Sequence, residues 1–474
     1  MAERIVIHPV TRVEGHAKIS IYVDNGGGVS SAQFHVTEFR GFEKLCEGRP
    51  FHEMPGLMSR ICGICPISHI LASCKAGDML LGVEIPRAAA KQRRLVNYAQ
   101  VLQSHALSFF HLSSPDLLLG MDSAPEKRNI FGLMEKDADF ARRGIRLRQF
   151  GQRVIELVGG KRIHPAWGTP GGVLRAVTEA ERDEIRGWIP EALESMDLAL
   201  DRLKSVLDSF ALEVENIGNF PTLFLGTVTP EGALEYYDGQ IRIVDAEGNT
   251  VAESLDPLRY ATYLGEASEE WSFMKFAYYK PLGYPAGSYR VGPLARLNVA
   301  KSAGTARADR ELREFKHRSR GAVCNSFHYH LARLIEMLHA VERIEELADD
   351  PDLLREHVRA SAGQNRNVGV GSCEAPRGTL FHDYEVDDNG LMRKANLLVA
   401  TAQNNLAMNR AVEQTARHFV STRTLQEGML NRVEAAIRCF DPCLSCSTHA
   451  IGQMPLTVEL RDSNGELLDR VQRG

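Results

Sequence analysis

Alternation of apolar and polar residues marks the first part of the chain. Residues 4–7, 17–23 and 32–36 are rich in β-branched and aromatic side chains, and the run Asp24-Asn25-Gly26-Gly27-Gly28 supplies a turn between the last two. This pattern predicts a small N-terminal sheet within residues 1–37.

Helical periodicity replaces this alternation from about residue 54 and continues to residue 220. Its clearest stripe repeats every three or four positions, at Leu193, Met196, Leu200, Leu203, Leu207 and Phe210. A second stripe follows at Leu331, Leu334, Leu338 and Val341. Such stripes are typical of helices that bury one face in a bundle, whereas a dedicated coiled coil would need a longer run.

A stretch rich in glycine, aromatic and β-branched residues, 222–291, separates the two stripes. It contains a predicted hairpin, 240–244, which turns at 245–249. Residues 305–450 are expected to be helical again, and 456–460 with a turn at 462–465 predict a last hairpin. We therefore predict an α+β fold, mainly a helical bundle with a small N-terminal β-sheet and an inserted β-rich region, forming one unit over residues 1–450.

Composition excludes several classes of protein. Hydrophobic residues make up 44% and charged residues 25%, as in ordinary globular proteins, and the net charge of −5 argues against a nucleic-acid-binding surface. No run of about 18 apolar residues predicts a membrane span, and the N-terminus lacks the features of a secretory signal. Nine cysteines without an export signal favour reduced thiols and a cytoplasmic location.

Two Cys-x-x-Cys pairs stand near opposite ends of the chain. They are Cys62 with Cys65 and Cys443 with Cys446, and each pair is followed by a histidine, His69 or His449. Two intervening residues allow both sulfurs of a pair to converge on one centre, so the pairs can supply four thiolates. Either histidine can bind the metal or donate a hydrogen bond to a sulfur.

Spacing alone leaves the kind of thiolate centre open. Four cysteines most often hold a structural zinc, but zinc ribbons usually place their pairs about 15–20 residues apart. Here the pairs enclose most of a large chain, which has little need of a metal staple. A catalytic metal centre is therefore an equal alternative, and a redox disulfide is a weaker one because such motifs come singly on a βα unit.

The residues around the two pairs resemble the large, catalytic subunit of nickel–iron hydrogenases. The resemblance spans the chain and rests on Arg60-x-Cys62-Gly63-x-Cys65-x-x-x-His69, Asp441-Pro442-Cys443-x-x-Cys446-x-x-His449, Thr11-Arg12-Val13-Glu14-Gly15-His16, Arg40-Gly41-Phe42-Glu43, His164-Pro165 with Pro170-Gly171-Gly172, and Glu374-Ala375-Pro376-Arg377-Gly378. The closing run 446–455 is most similar to the cytoplasmic, bidirectional NAD-linked branch.

This resemblance implies a ligand set for a nickel–iron centre. Cys62 and Cys443 would be terminal nickel ligands, while Cys65 and Cys446 would bridge nickel to an iron that carries carbon monoxide and two cyanides. The resemblance also places three residues against the centre: Pro376, Thr401 as a hydroxyl donor to a cyanide, and His69 as a hydrogen-bond partner of a bridging sulfur.

The resemblance further implies the residues that handle dihydrogen and protons. Arg377 would lie over the open metal position, oriented by Asp116 and Asp441, and Cys443 is the first candidate for the base that takes the proton. Glu14 would relay that proton. Without the resemblance, Asp116 and Asp441 would be interpreted as cap or turn residues, and Glu14 as a member of a surface ion pair.

A second metal, magnesium or iron, is implied at the end of the chain, with Glu43 and His449 as ligands. The alternative for Glu43 is a salt bridge with Arg40 or Lys44. A maturation endopeptidase would remove residues 451–474, cutting after His449 or Ala450.

The chain offers no further cofactor site. The remaining cysteines lack paired spacing and are interpreted as buried side chains, so no iron–sulfur cluster is expected in this chain. Residues 369–374 fail the dinucleotide fingerprint at its third glycine, so neither flavin nor NAD is expected here. Electrons would leave through a small subunit that carries iron–sulfur clusters, and then through flavin- and NAD-binding subunits.

Three rival functions remain open. One is the large subunit of another cytoplasmic hydrogenase branch, linked to NADP, a deazaflavin or sulfur. Another is the core subunit of a respiratory quinone reductase, against which all four cysteines count. The third is a non-enzymatic assembly protein stapled by zinc.

Overall fold

The computed structural model describes residues 4–360, 363–421, 424–448, 456–461 and 467–473, the last two ranges by their backbone alone. The helices are α1 Phe42–Leu45, α2 Met54–Met58, α3 Pro66–Leu81, α4 Arg87–Ala106, α5 Ser114–Leu119, α6 Ile130–Lys136, α7 Ala138–Gly159, α8 Glu179–Leu207, α9 Ala211–Asn216, α10 Tyr260–Tyr263, α11 Pro293–Val299, α12 Ala306–Lys316, α13 Tyr329–Asp349, α14 Ala400–Gln403, α15 Asn405–Phe419, α16 Glu427–Phe440 and α17 Leu444–Ser447. A π-helical turn, Leu107–Ser113, joins α4 to α5.

The strands form six small sheets rather than one large one. They are β1 Arg4–Ile7, β2 Ala17–Val23, β3 Val29–Val36, β4 Gly168–Thr169, β5 Gly172–Val173, β6 Leu223–Val228, β7 Gln240–Val244, β8 Thr250–Leu255, β9 Leu264–Ala267, β10 Phe276–Tyr279, β11 Tyr289–Arg290, β12 Val368–Ala375, β13 Gly378–Val386, β14 Met392–Leu398, β15 Leu456–Arg461 and β16 Leu467–Arg473. The sheet orders are β1-β2-β3, β4-β5, β9-β10, β11-β6-β7-β8, β12-β13-β14 and β15-β16, and among these strands only the β11–β6 pair is parallel.

Four long helices form the centre of the molecule. Helix α4 packs on α7 and α13, and α8 packs on the same two helices, so the four form a closed bundle. The predicted stripe lies on α8, where Met196, Leu200, Leu203 and Leu207 are buried. Thr178 begins this helix with a capping box that is completed by Glu181, which explains why the helix starts there. None of the helices within the described ranges is long and apolar enough to cross a membrane.

The predicted fold class is confirmed, with the small N-terminal sheet, the helical bundle and the β-rich insertion all present. One region departs from the prediction. Residues 368–398, expected to be helical, form the antiparallel sheet β12-β13-β14. Strand β12 is buried on both faces, between α3 and its neighbours, and therefore lacks the alternation by which a half-buried strand is detected.

This unexpected sheet and the ends of three helices define the centre of the protein. Helix α3 begins directly after Cys65, α17 begins directly after Cys443, and α16 ends at Phe440, just before Asp441. The turn between β12 and β13 brings Arg377 to the same place, as its contact with Asp441 shows. Chemistry-bearing residues from both ends of the chain thus meet in the core.

Candidate metal centre

Four thiols form a tight cluster in the core. The Sγ atoms of Cys62 and Cys443 are 3.3 Å apart, those of Cys65 and Cys446 are 3.4 Å apart, and those of Cys443 and Cys446 are 2.9 Å apart. All four lie within 4.8 Å of one another and all are buried. Within the described ranges, no other group of three or more cysteine, histidine or acidic side chains converges in this way.

Local backbone geometry directs these sulfurs inward. Cys62 is extended at the end of a helical turn, and its sulfur accepts hydrogen bonds from the amides of Ile64 and Cys65. Cys65 is the N-cap of α3, with Pro66 at the first helical position, where the missing proline N–H costs nothing. The second pair repeats this arrangement, because Cys443 is the N-cap of α17.

The four thiols cannot all be charged unless a cation is present. Hydrogen bonds from the neighbouring thiols, aided by the Arg377 cation, hold the pKa of Cys62 well below its usual range. Burial, together with the sulfurs around them, raises the pKa values of Cys443 and Cys446 well above the usual range. The cluster therefore favours a thiolate at Cys62 beside neutral thiols at Cys443 and Cys446 until a metal displaces their protons.

Arg377 supplies a permanent positive charge beside the cluster. Its Nε donates to the Asp441 carbonyl at 2.5 Å, its Nη2 lies 3.1 Å from Asp441 Oδ2, and its Nη1 donates to Ser104 Oγ at 3.3 Å. Burial alone would lower its pKa, but Asp441 and the nearby thiolates outweigh burial and raise that pKa well above the ordinary value. The guanidinium is therefore fixed in place and does not titrate.

Asp441 lies where the prediction places it, but Asp116 does not pair with Arg377. Asp116 accepts from Arg12 Nη2 at 2.5 Å, from Arg438 Nε at 3.0 Å and from Asn431 Nδ2 at 3.1 Å. Those cations lower the pKa of Asp116 despite its burial. The expectation that Asp116 orients Arg377 is therefore corrected: it holds the N-terminal segment at Arg12 against α16. No local pattern indicates this, since Asn431 and Arg438 belong to no recognisable motif.

Glu14 contacts the second cysteine pair directly. Its carboxylate accepts hydrogen bonds from the amide of Ser445, at 3.0 Å, and from the Ser445 hydroxyl. Its carbonyl accepts from the Leu444 amide at 3.2 Å. The next residue, Gly15, has φ +88°, and a Cβ there would lie 2.6 Å from Leu444 Cβ. Only glycine permits this close approach between the two chain segments.

Two other predicted residues contact the cluster. His69 Nε2 lies 3.4 Å from Cys446 Sγ, which is the geometry of the expected hydrogen bond to a sulfur, and its Nδ1 lies 3.1 Å from His382 Nε2. Thr401 Oγ1 accepts from the Cys443 amide at 3.0 Å, which leaves its own proton free to be donated. The sequence analysis missed His382, because a lone histidine on a buried strand carries no motif.

The remaining predicted residues lie farther from the sulfurs or outside the described ranges. The Glu43 carboxylate accepts from the Leu397 amide at 2.7 Å, and the alternative partners have other contacts: Lys44 pairs with Glu47, and Arg40 donates to the Ile61 carbonyl. Pro376 contributes its carbonyl to Arg296 at 2.8 Å. His449 and the cleavage position after it lie outside the residues that the structure describes.

The donor set fits a soft, thiophilic metal centre. Thiolate sulfurs 2.9–3.4 Å apart repel one another strongly in a buried environment unless cations lie between them. Sulfur ligands favour nickel, iron and zinc over magnesium or calcium. A structural zinc site would be closed and needs no buried guanidinium, whereas Arg377 stands beside these sulfurs as a second, fixed source of positive charge.

Comparison with known sequences identifies the class. The profile described as "Nickel-dependent hydrogenase" matches residues 40–124 and 227–449, and a profile described as "HoxL-like" matches residues 4–39. The chain therefore belongs to the family of nickel-dependent hydrogenases, in which it is a large subunit of the nickel–iron type.

Individual relatives narrow the comparison. The NAD-reducing hydrogenase HoxS subunit beta of Cupriavidus necator is 43% identical over 490 residues, covering 100% of both chains. The corresponding chain of the F420-non-reducing hydrogenase of Methanothermobacter thermautotrophicus is 40% identical, over 99% of this chain and 100% of its own.

Solved structures agree with the sequence comparison. An NAD+-reducing [NiFe]-hydrogenase in its H2-reduced state superposes with a TM-score of 0.92 at 46% identity, covering 94% of this chain and 99% of that one. The Ni-Fe-Se hydrogenase of D. vulgaris Hildenborough has a TM-score of 0.76 at 23% identity, covering 95% of this chain and 100% of that one, which shows the shared fold. The family resemblance drawn from the motifs is confirmed.

Proposed function

We propose that this chain catalyses the reversible oxidation of dihydrogen to protons and electrons at a nickel–iron centre held by Cys62, Cys65, Cys443 and Cys446. The observation that supports this most is the buried cluster of four thiols with the Arg377 guanidinium beside it. When bound, the bimetallic centre supplies the soft, redox-active metals at which dihydrogen is cleaved into a proton and a two-electron fragment.

The four sulfurs divide into two roles in this proposal. Cys62 and Cys443 are terminal ligands of nickel, and Cys65 and Cys446 bridge nickel and iron. His69, 3.4 Å from Cys446, holds a bridging sulfur in place by a hydrogen bond. Carbon monoxide and two cyanides complete the iron, with the Thr401 hydroxyl and Pro376 beside them.

Arg377 stabilises the charge that develops as dihydrogen is split. A guanidinium fixed by Asp441 needs no reorganisation during the reaction, and it stays charged at every working pH. Its burial strengthens the effect, because the charge acts in a medium of low dielectric.

The proton leaves through residues of the second cysteine pair. Cys443 Sγ takes the proton first, and Glu14 is the next acceptor, since its carboxylate is held against Ser445, two residues farther along the chain. Short, fixed hydrogen bonds of this kind allow a proton to move without a change in the backbone.

The electrons leave through partner subunits. We propose a small subunit with iron–sulfur clusters and, beyond it, flavin- and NAD-binding subunits in the cytoplasm. The full-length similarity to part of an NAD-reducing hydrogenase supports NAD as the acceptor. The 40% identity to F420-non-reducing hydrogenases keeps other acceptors as the alternative to be tested.

Maturation forms part of the same proposal. An endopeptidase removes residues 451–474, which contain the hairpin β15-β16, and His449 then joins Glu43 at a second metal, magnesium or iron. Mass spectrometry of the active complex should show the shortened chain. A full-length chain in an active, nickel-loaded preparation would contradict this step.

An infrared spectrum of the purified complex, recorded with nickel and iron quantitation, tests the central claim. Sharp carbonyl and cyanide bands together with nickel are expected. Zinc with a silent spectrum would replace the proposal with a structural thiolate site. Reduction of NAD by dihydrogen, compared with NADP, a deazaflavin and sulfur, identifies the acceptor.

A further inference from the structure

Arg296, on α11, is a fully buried arginine whose five N–H groups all have acceptors. Its Nε and Nη2 donate to the two Glu336 oxygens at 2.6 and 2.7 Å, and its Nη1 donates to Glu374 Oε2 at 2.7 Å. The two remaining N–H groups donate to the carbonyls of Ala375 and Pro376 at 2.9 and 2.8 Å. Arg296 therefore holds the three residues that precede Arg377.

The turn that presents Arg377 needs such support. Ala375 pairs with Gly378, so Pro376 and Arg377 form a two-residue hairpin turn between β12 and β13. Tight hairpins favour turns with positive φ at their first central residue, but proline fixes φ near −65°. Arg377 is also not among the described non-glycine residues with positive φ. The turn is therefore poorly matched to the twist of its strands.

External hydrogen bonds compensate for this mismatch. Besides the two bonds from Arg296, the Glu374 carboxylate spans the base of the turn, where its Oε1 accepts from the hydroxyls of Thr379, at 2.6 Å, and Thr227, at 2.8 Å. Arg296 thus neutralises the carboxylate that closes the turn and also binds the carbonyls at its tip.

A second arm of the same network reaches the Arg377 side chain. Glu336, which takes a pair of hydrogen bonds from Arg296, also lies 2.9 Å from His105 Nε2 on α4. The preceding residue, Ser104, accepts from Arg377 Nη1 at 3.3 Å. The Arg296–Glu336 pair is therefore linked to the backbone of Arg377 on one side and to its guanidinium on the other.

We propose that Arg296 is a positioning residue for hydrogen oxidation, which fixes the Pro376-Arg377 turn so that the Arg377 guanidinium stands beside the four cysteines. This inference rests on the role given to Arg377 in the proposed function. It predicts that loss of the forked hydrogen bonds lets Arg377 shift, and a shift of about 1 Å at a reacting centre costs up to about 100-fold in rate.

The test compares two conservative variants in the purified complex. Arg296→Lys keeps the charge but loses the planar fork and at least two donors. Arg93→Lys is the matched control: Arg93 is equally buried and binds the Asp78 carboxylate and the Thr169 and Gly172 carbonyls, none of which belongs to the Pro376-Arg377 turn. Dihydrogen oxidation per bound nickel and hydrogen exchange of peptides covering 368–386 are measured for both.

We expect Arg296→Lys to lower turnover per nickel by about 10- to 100-fold and to speed exchange in 368–386, while Arg93→Lys does neither. In an Arg377→Lys background, the added Arg296→Lys change should alter turnover by less than about twofold, because both act through one guanidinium. If the Arg296→Lys chain does not accumulate, Glu336→Gln is measured against the same expectations.

Two outcomes would overturn the inference. One is wild-type turnover per nickel in a folded Arg296→Lys complex. The other is a loss that multiplies in full in the Arg377→Lys background, since this would mark Arg296 as structural only. Normal turnover of Arg377→Lys alone would instead refute the catalytic role of Arg377, and so the two failures are distinguishable.

Discussion

Gly15→Ala is expected to separate the two ends of the chain at the site. The added Cβ would lie 2.6 Å from Leu444 Cβ and 3.3 Å from the Ser445 amide nitrogen. Nonbonded carbons need about 3.5–4.0 Å, so the segments must move apart by roughly 1 Å. The hydrogen bond from the Leu444 amide to the Glu14 carbonyl, now 3.2 Å, would then lengthen to about 4 Å and be lost.

The cost has two components that can be measured separately. Alanine at φ +88° costs roughly 1–2 kcal/mol in any protein. The steric separation adds a loss of function, since Glu14 moves away from Ser445 and the proton path opens; a displacement of this size reduces the rate by up to about 100-fold. We therefore expect a modest loss of thermal stability and a large loss of dihydrogen oxidation per nickel.

Gly48→Ala is the matched control. Gly48 has φ +77°, but nothing lies within 4 Å of the Cβ that would be added. It should reproduce the loss of thermal stability and leave turnover per nickel unchanged. Equal turnover in Gly15→Ala and Gly48→Ala would show that the contact with Leu444 does not hold Glu14 in place, and the reasoning would be refuted.

Three further predictions follow from the site and the core. Burial lowers the pKa values of four histidines to about 3 or 4 (His105, His328, His330 and His339), so they stay neutral when the unfolded chain takes up protons below about pH 6.5; at pH 5.5 each should cost about 1.4 kcal/mol of stability, and melting curves at pH 7.5 and 5.5 should converge in part for His339→Gln but not for His52→Gln. Ser445→Ala removes the hydroxyl donor to Glu14, so proton–deuterium exchange with D2 should slow by about tenfold at unchanged nickel content, and Ser445→Thr should recover it. Removal of the metals should lower the melting temperature, since a centre bound by both cysteine pairs stabilises only the folded chain, by about 4 kcal/mol at a thousandfold excess over its dissociation constant; equal melting of metal-free and loaded protein would contradict this.

Sequence is most informative where one motif fixes both chemistry and geometry. The Cys-x-x-Cys spacing predicts the convergence of four sulfurs, because two intervening residues turn both side chains of a pair toward one point. Periodic apolar residues likewise predict α8 and its buried face. Neither inference needs knowledge of distant contacts.

The errors come from residues whose role depends on distant partners. Gly369 and Gly371 indicate only a failed nucleotide motif in the sequence, but Cβ atoms there would meet the carbonyls of Ala76 and Ala72 at 2.3 and 2.0 Å. These glycines let β12 lie directly against α3, and no local pattern reveals a helix packed on the far side of the strand. The prediction for Asp116 names the wrong arginine for the same reason, since three cations compete for this carboxylate.

The distance along the chain between the cysteine pairs sets a timetable for synthesis. Cys62 and Cys443 contribute to one cluster although they lie 381 positions apart in the sequence. At ribosomal rates of about 5–20 residues per second, the first pair leaves the ribosome roughly 20–75 s before the second. During that interval a nascent Cys62–Cys65 pair is half of a metal site, open to any thiophilic ion in the cell. Correct loading therefore requires that the intended metals arrive after translation has ended, or that the first pair is shielded until then.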